Sequence, residues 1–194
     1  MSRGILYYVW GNSLKYRLLL NRSIASARKL GYNFQVITDD SKYKKFRKRI
    51  GIFEKSPFDV TLLLDVDTEI RGSLRYGFDR AEKYGLACSI APSVNAYNDM
   101  TNNSLKKTTP QDLTQYNCGV LFFSKKAKAT FNLWSKYLLD YPESAKNDQP
   151  YFSRAVFETI NPYVLSKAWN YRPHLRMHGI LTGELKILHS KTDY

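Results

Sequence analysis

Leu62-Leu63-Leu64-Asp65-Val66-Asp67-Thr68-Glu69 decides how this chain is read. The apolar run Val60–Leu64 suits a β-strand covered on both faces, as in a parallel sheet. It stops abruptly on two acids. Alternate side chains of a strand point the same way, so Asp65 and Asp67 are expected to converge at the strand end. Carboxylate oxygens suit a hard divalent cation, Mg2+ or Mn2+. The carboxyl edge of an open α/β sheet is also where such folds bind ligands. A lone Asp-x-Asp is common on solvated loops. After three leucines it says more, because apolar strands seldom end in two acids without a cation, a capped backbone or a basic partner.

Working outward, Gly4–Trp10 is a continuous β-prone run, read as the first strand. Tyr16–Leu30 repeats apolar residues at Tyr16, Leu20, Ile24 and Ala27, one face of a helix, and Gly31 stops it. Asn33–Thr38 is the next strand. This β-α-β order with short connections opens a parallel sheet. Beyond the acids come a helix near Leu74–Lys83 and a strand at Leu86–Ile90. Pro92–Thr114 is rich in Asn, Thr, Ser and Lys and has no period, so it is expected to be a long loop for acceptor contact or closure. Val120–Phe123 is a further strand. Ser124 is expected to cap a helix bearing Ala127, Phe131, Trp134 and Leu138, and Asn147 to cap a helix at Asp148–Glu158. A strand-like Leu185–Leu188 lies near the end.

The 194 residues fit one domain, and a 43% apolar content makes disorder a poor default. Tyrosine leads the aromatics with 15, a residue that suits pockets both apolar and hydrogen-bonding. Cys88 and Cys118 sit in apolar runs and read as buried thiols, not a disulfide framework. No membrane-length apolar segment and no cleavable leader is evident at the N-terminus, so a cytoplasmic location is expected. The net charge of +13 favours anionic partners. Its densest stretch, Lys42–Arg49, reads as the solvated face of a short helix, or as a patch for peripheral contact with an anionic membrane surface or substrate. No recognised DNA or RNA module appears, so no specific nucleic acid is expected.

Three further segments carry chemistry. Tyr116-Asn117-Cys118-Gly119-Val120 places a side-chain amide and a bare backbone ahead of a strand, where Gly119 allows close approach of a ligand. Asn147-Asp148-Gln149 opens a helix, so free N–H groups and polar side chains share one space. Leu188-His189-Ser190-Lys191 puts an imidazole at a strand end, with a cation to offset phosphate charge.

In this order the four segments resemble the GT-A nucleotide-sugar glycosyltransferases, closest to small GT8-like enzymes of bacteria and viruses. The resemblance implies an α/β fold with a mostly parallel central sheet flanked by helices on both faces. It implies a single catalytic domain over 1–194, with a nucleotide-binding half (1–90) and a donor-sugar and acceptor half (91–194). It also implies transfer of a sugar from a nucleotide-diphosphate donor, a UDP-sugar in the first instance, to a hydroxyl of a glycan or glycoconjugate acceptor. Asp65, Asp67 and His189 would hold Mn2+ or Mg2+. Tyr8, Trp10, Asn12, Asp39, Asp65, Asn117, Gly119 and Lys191 would contact the nucleotide sugar, and Asp148 and Gln149 would act at the reacting carbon. The family's late Lys follows its His by several residues, whereas Lys191 follows His189 by two. A sugar-nucleotide pyrophosphorylase is disfavoured, because Trp10-Gly11-Asn12-Ser13 is no Gly-rich triphosphate loop. The competing reading from another class is a non-enzymatic basic protein that binds nucleic acid or glycan.

Overall fold

The structure is a computed structural model, and it describes residues 1–9, 13–38, 45–173, 181 and 183–191. Trp10, Asn12 and Asp39, expected at the nucleotide, lie outside the described residues, as do Lys42 to Lys44 of the basic run.

The chain runs β1 (Arg3–Val9), α1 (Leu14–Lys29), β2 (Phe34–Thr38), a 3₁₀ turn (Lys45–Arg49), β3 (Val60–Leu64), β4 (Thr68–Ile70) and α2 (Arg75–Tyr84). It continues through β5 (Leu86–Asn95), α3 (Ala96–Asp99), α4 (Asn103–Lys107), β6 (Thr114–Ser124), α5 (Lys128–Asp140), α6 (Gln149–Thr159), β7 (Tyr163–Leu165) and β8 (Ile187–His189). The main sheet has the order β2-β1-β3-β6-β5-β7. Its β1–β2, β1–β3 and β5–β7 pairs are parallel, while β6 runs antiparallel to both β3 and β5. A second ladder pairs β4 with β8.

Alternation along the central strands builds two cores. Leu6, Leu63, Leu121 and Phe123 face α5 and α6 beside Phe131, Trp134 and Phe152. Ile5, Tyr7, Leu62, Leu64, Val120 and Phe122 face α1 and α2 beside Ala27, Phe78 and Ala81. All five residues of β3 are buried, as the two-sided apolar run requires. Each fully buried Leu or Phe contributes about 1.5–3 kcal/mol, so these strands are held chiefly by their two-sided burial. Gly31 ends α1 as expected. It sits at φ +73°, with its N–H donating to Arg28 O and that of Tyr32 to Ala27 O, a left-handed turn that a side chain would strain.

Three expectations change. β3 ends at Leu64, so Asp65 and Asp67 lie on the turn between β3 and β4, and it is the turn, not strand alternation, that brings them together. Pro92–Thr114 is no irregular loop. β5 runs on into it as far as Asn95, and α3 and α4 follow with Met100, Leu105 and Leu113 buried. The asparagines that read as loop formers are helix caps: Asn95 Oδ1 accepts from Asn98 N, and Asn102 Oδ1 from Leu105 N. Ser124 caps nothing. Its hydroxyl donates to Ala81 O at 3.0 Å, and a 3₁₀ turn precedes α5. Asn147 stands one residue ahead of Asp148, which takes the N-cap position of α6, and its Oδ1 accepts from Gln149 N at 3.2 Å.

Candidate active site

The antiparallel entry of β6 sets the site. Because β6 starts well beyond the carboxyl end of β3, Asn117 and Gly119 lie within the strand and beside the acidic turn, not ahead of the strand as expected. Asp65 N–H donates to Gly119 O at 2.8 Å, tying turn to strand. The short ladder then delivers the imidazole: Thr68 pairs with His189, and Ser190 N–H donates to Asp67 O at 2.8 Å. His189 thus stands inside a strand that begins at Ile187, two residues later than the expected Leu185.

Asp65, Asp67 and His189 each offer an atom to a group whose members lie within 4.8 Å of one another. His189 Nε2 is 3.2 Å from Asp67 Oδ1 and 3.9 Å from Asp65 Oδ2. Burial tends to push Asp67 up, but His189 and Lys191 more than offset it and hold the carboxyl low, at about 2. Gly119 makes the cluster possible. A Cβ there would collide with Asp65 Oδ2 and stand 2.7 Å from His189 Cε1.

A chain of amides orients the imidazole. Gly119 N–H is an unambiguous donor and gives its proton to Asn117 Oδ1 at 2.9 Å. That orients the Asn117 amide, whose Nδ2 donates to Gln149 Oε1 at 2.6 Å. The Asn170 group facing Asn117 Oδ1 must then be Nδ2, which donates at 2.8 Å. Asn170 Oδ1 is left to accept from His189 Nδ1–H at 2.7 Å. With Nδ1–H given to Asn170, Nε2 is the ring nitrogen left facing the two carboxylates: as N–H it donates to Asp67 Oδ1, and without that proton it offers a lone pair to a cation. Two carboxylates and such an imidazole fit Mn2+ or Mg2+ by donor chemistry, and three protein ligands leave positions for further oxygens.

Arg49 is the residue that the sequence reading misses. Its basic run reads as a solvated face, but Arg49 is 4% exposed and bridges the acids. Its Nη2 donates to Asp65 Oδ1 at 2.8 Å, its Nη1 donates to Cys118 O at 2.6 Å, and its Nε lies 3.4 Å from Asp148 Oδ2. Asp148 is itself 2% exposed. Burial raises its carboxyl to about 6, with Arg49 pulling the other way and Asp65 adding to the rise. Asn170 gives no sequence signal, being one polar residue in a mixed segment. Arg172, with Nη2 3.1 Å from His189 Nδ1, is equally hidden.

A cleft of about 230 Å3 opens beside the acids, lined by Tyr8, Tyr16, Phe46, Arg49, Asp67 and Lys191 among others. Aromatic rings, cations and the acidic pair on one wall suit a flat base joined to a charged group. A larger cleft of about 570 Å3 lies at the other end of β1, around Arg3, Asp79 and Glu82. There Arg3 pairs with both acids. Of the expected residues, Tyr8, Asp65, Asp67, Asn117, Gly119, Asp148, Gln149, His189 and Lys191 come together here.

This architecture is the GT-A glycosyltransferase fold. Mouse xyloside xylosyltransferase 1 superposes with a TM-score of 0.60 at 14% identity, covering 98% of both chains. A glycosyltransferase involved in the glycosylation of the major capsid of PBCV-1 gives 0.64 at 15% identity over 97% of this chain and 92% of the other. The galactosyltransferase LgtC, solved with donor and acceptor sugar analogues, gives 0.60 at 14% identity over 96% and 86%. At such identities the likeness is one of fold. No protein-family model matches the chain, and no curated protein matches it in sequence.

Proposed function

We propose that the chain is a metal-dependent glycosyltransferase that moves a sugar from a nucleotide-diphosphate donor, a UDP-sugar in the first instance, to a hydroxyl acceptor on a glycan or glycoconjugate. The observation that carries this is the Asp65–Asp67–His189 cluster, its imidazole held by Asn170 so that Nε2 faces the carboxylates. That cluster stands at the edge of an aromatic, basic cleft in a fold shared with known sugar transferases.

Bound by these three residues, Mn2+ or Mg2+ would neutralise the charge of a departing diphosphate. The remaining roles belong to the chain. Tyr8 and Tyr16 flank the nucleoside, and Lys191 meets phosphate oxygens. Asn117 and Gln149, bonded to each other, orient the donor sugar. Asp148, whose neighbours keep it beside Arg49, steadies positive charge on the sugar as the bond to phosphate lengthens. Arg49 keeps Asp65 and Asp148 from repelling one another before substrate arrives. The first half of the chain, 1–90, takes the nucleotide and the second, 91–194, the sugar and acceptor.

A thermal-shift screen of UDP-, GDP-, dTDP- and CMP-sugars with and without Mn2+ tests the proposal. One donor should raise the melting temperature only with metal, and Asp67→Ala should abolish the shift. If no donor shifts the protein with Mn2+ present, the proposal fails.

A further inference from the structure

Helix α1 carries five basic residues, Lys15, Arg17, Arg22, Arg28 and Lys29, and no acidic one. Its buried side is Leu19, Ser23 and Ala27, with Ser23 Oγ donating to the Tyr7 hydroxyl of β1 at 3.0 Å and lying 3.1 Å from Thr68 Oγ1 of β4. At roughly 100° per residue, Leu14 and Leu18 fall on the opposite side, about 40° apart. They are 64% and 60% exposed, the most exposed large apolar side chains after Met1 among the described residues. Lys15 and Arg17, both exposed, flank them to left and right. Farther along the same strip stand Asn21 and Ala25, also exposed, one polar and the other no larger than a methyl group. The large apolar side chains of this strip are therefore confined to the first turn and a half.

A solvated helix face has no use for two leucines one turn apart. A nucleic-acid backbone would be met by the cations but not by the leucines. Leucines between two cations on a helix without acids match a surface that is apolar just beneath a layer of negative charge. The described end of Lys42–Arg49 does not provide such a surface, since Arg49 points into the active site and Arg47 donates to Leu138 O at 2.7 Å. Among the described residues no helix is long and apolar enough to cross a membrane, so any attachment through a helix there is peripheral.

We propose that the N-terminal end of α1 docks on an anionic membrane surface, with Leu14 and Leu18 entering the apolar boundary and Lys15 and Arg17 meeting lipid phosphates. Tyr16, on the inner side of the same turn, lines the active-site cleft. Docking therefore leaves the cleft open and holds it within about one helix diameter, ~10 Å, of the lipid surface.

Sedimentation with vesicles tests this without any donor, so its outcome is separate from that of the glycosyl-transfer reading. The whole chain should bind vesicles of equimolar phosphatidylcholine and phosphatidylglycerol, and should not bind phosphatidylcholine alone. The double variant K15Q/R17Q should bind about thirtyfold more weakly. L14S/L18S should lose about tenfold or more. Both pairs lie at exposed positions, and circular dichroism should show them folded. Absence of binding to the anionic vesicles, or binding unchanged in both variants, overturns the proposal. So does an oligomer in solution that L14S/L18S converts to monomer, which would make the face a self-interface. Binding to random duplex DNA in preference to vesicles, kept by L14S/L18S and lost by K15Q/R17Q, overturns it as well.

Discussion

Replacing Asn170 with Ala probes the amide chain at the link that sequence could not reveal. Asn170 is 2% exposed, accepts from His189 Nδ1–H at 2.7 Å and donates to Asn117 Oδ1 at 2.8 Å. Asn117 Oδ1 keeps its bond from Gly119 N–H, so the variant orphans one group, the Nδ1–H. A buried orphan donor costs about 1–3 kcal/mol, and the lost amide bond adds about 1 kcal/mol. The imidazole can relieve the orphan by moving its proton to Nε2, which lies 3.2 Å from Asp67 Oδ1, while Nδ1 accepts from Arg172 Nη2 at 3.1 Å. That rearrangement recovers stability but covers the lone pair that would meet a metal. N170A should therefore lose about 1–3 kcal/mol or less in urea unfolding, yet bind Mn2+ about 10–100-fold more weakly by titration calorimetry or electron paramagnetic resonance. Asn170→Asp, which keeps the acceptor for His189, should retain most of the metal affinity. If N170A binds Mn2+ as tightly as the parent chain, the amide chain does not set the imidazole and the reasoning is wrong.

Gly119→Ala should weaken Mn2+ binding by about tenfold or more, since its Cβ would stand 2.7 Å from His189 Cε1, while overpacking costs the fold about 1–3 kcal/mol; metal titration and urea unfolding separate the two. Arg49→Met removes the cation shared by Asp65 and Asp148 and should cost about 3–5 kcal/mol in urea unfolding. Adding Asp148→Asn to it should restore part of that loss. The pH dependence follows from Asp148. Its carboxyl is raised to about 6, mainly by burial, so the folded chain binds one more proton than the unfolded chain between the ordinary carboxylate value and 6. Stability should fall by about 3 kcal/mol relative to Asp148→Asn as pH rises through that window, and the difference should stay constant above it. Urea unfolding at several pH values below and above 6 measures this.

Much of the frame can be read from the chain because burial on two sides leaves a strong mark. Val60–Leu64, apolar but for Thr61, and Val120–Phe123 are compact apolar runs, and helix spacing at Ala127, Phe131, Trp134 and Leu138 names one buried face, all of it core in the structure. The acids are legible for the same reason, as charges where an apolar strand stops. What sequence misreads are residues whose role depends on distant partners. Arg49 sits among lysines and arginines, and only the fold shows that it turns inward to Asp65 and Asp148. Asn170 has no local pattern at all, because its meaning lies in His189 and Asn117, 19 and 53 residues away. Asn95 and Asn102 look like loop formers because capping and turning draw on the same short polar side chains.

The most direct test of the central claim is release of nucleoside diphosphate from the donor that the thermal-shift screen selects, followed with and without Mn2+. The account predicts release by the parent chain that requires the metal and disappears in both Asp67→Ala and His189→Ala, each still folded. Release at the same rate without divalent cation, or undiminished in those variants, would contradict it.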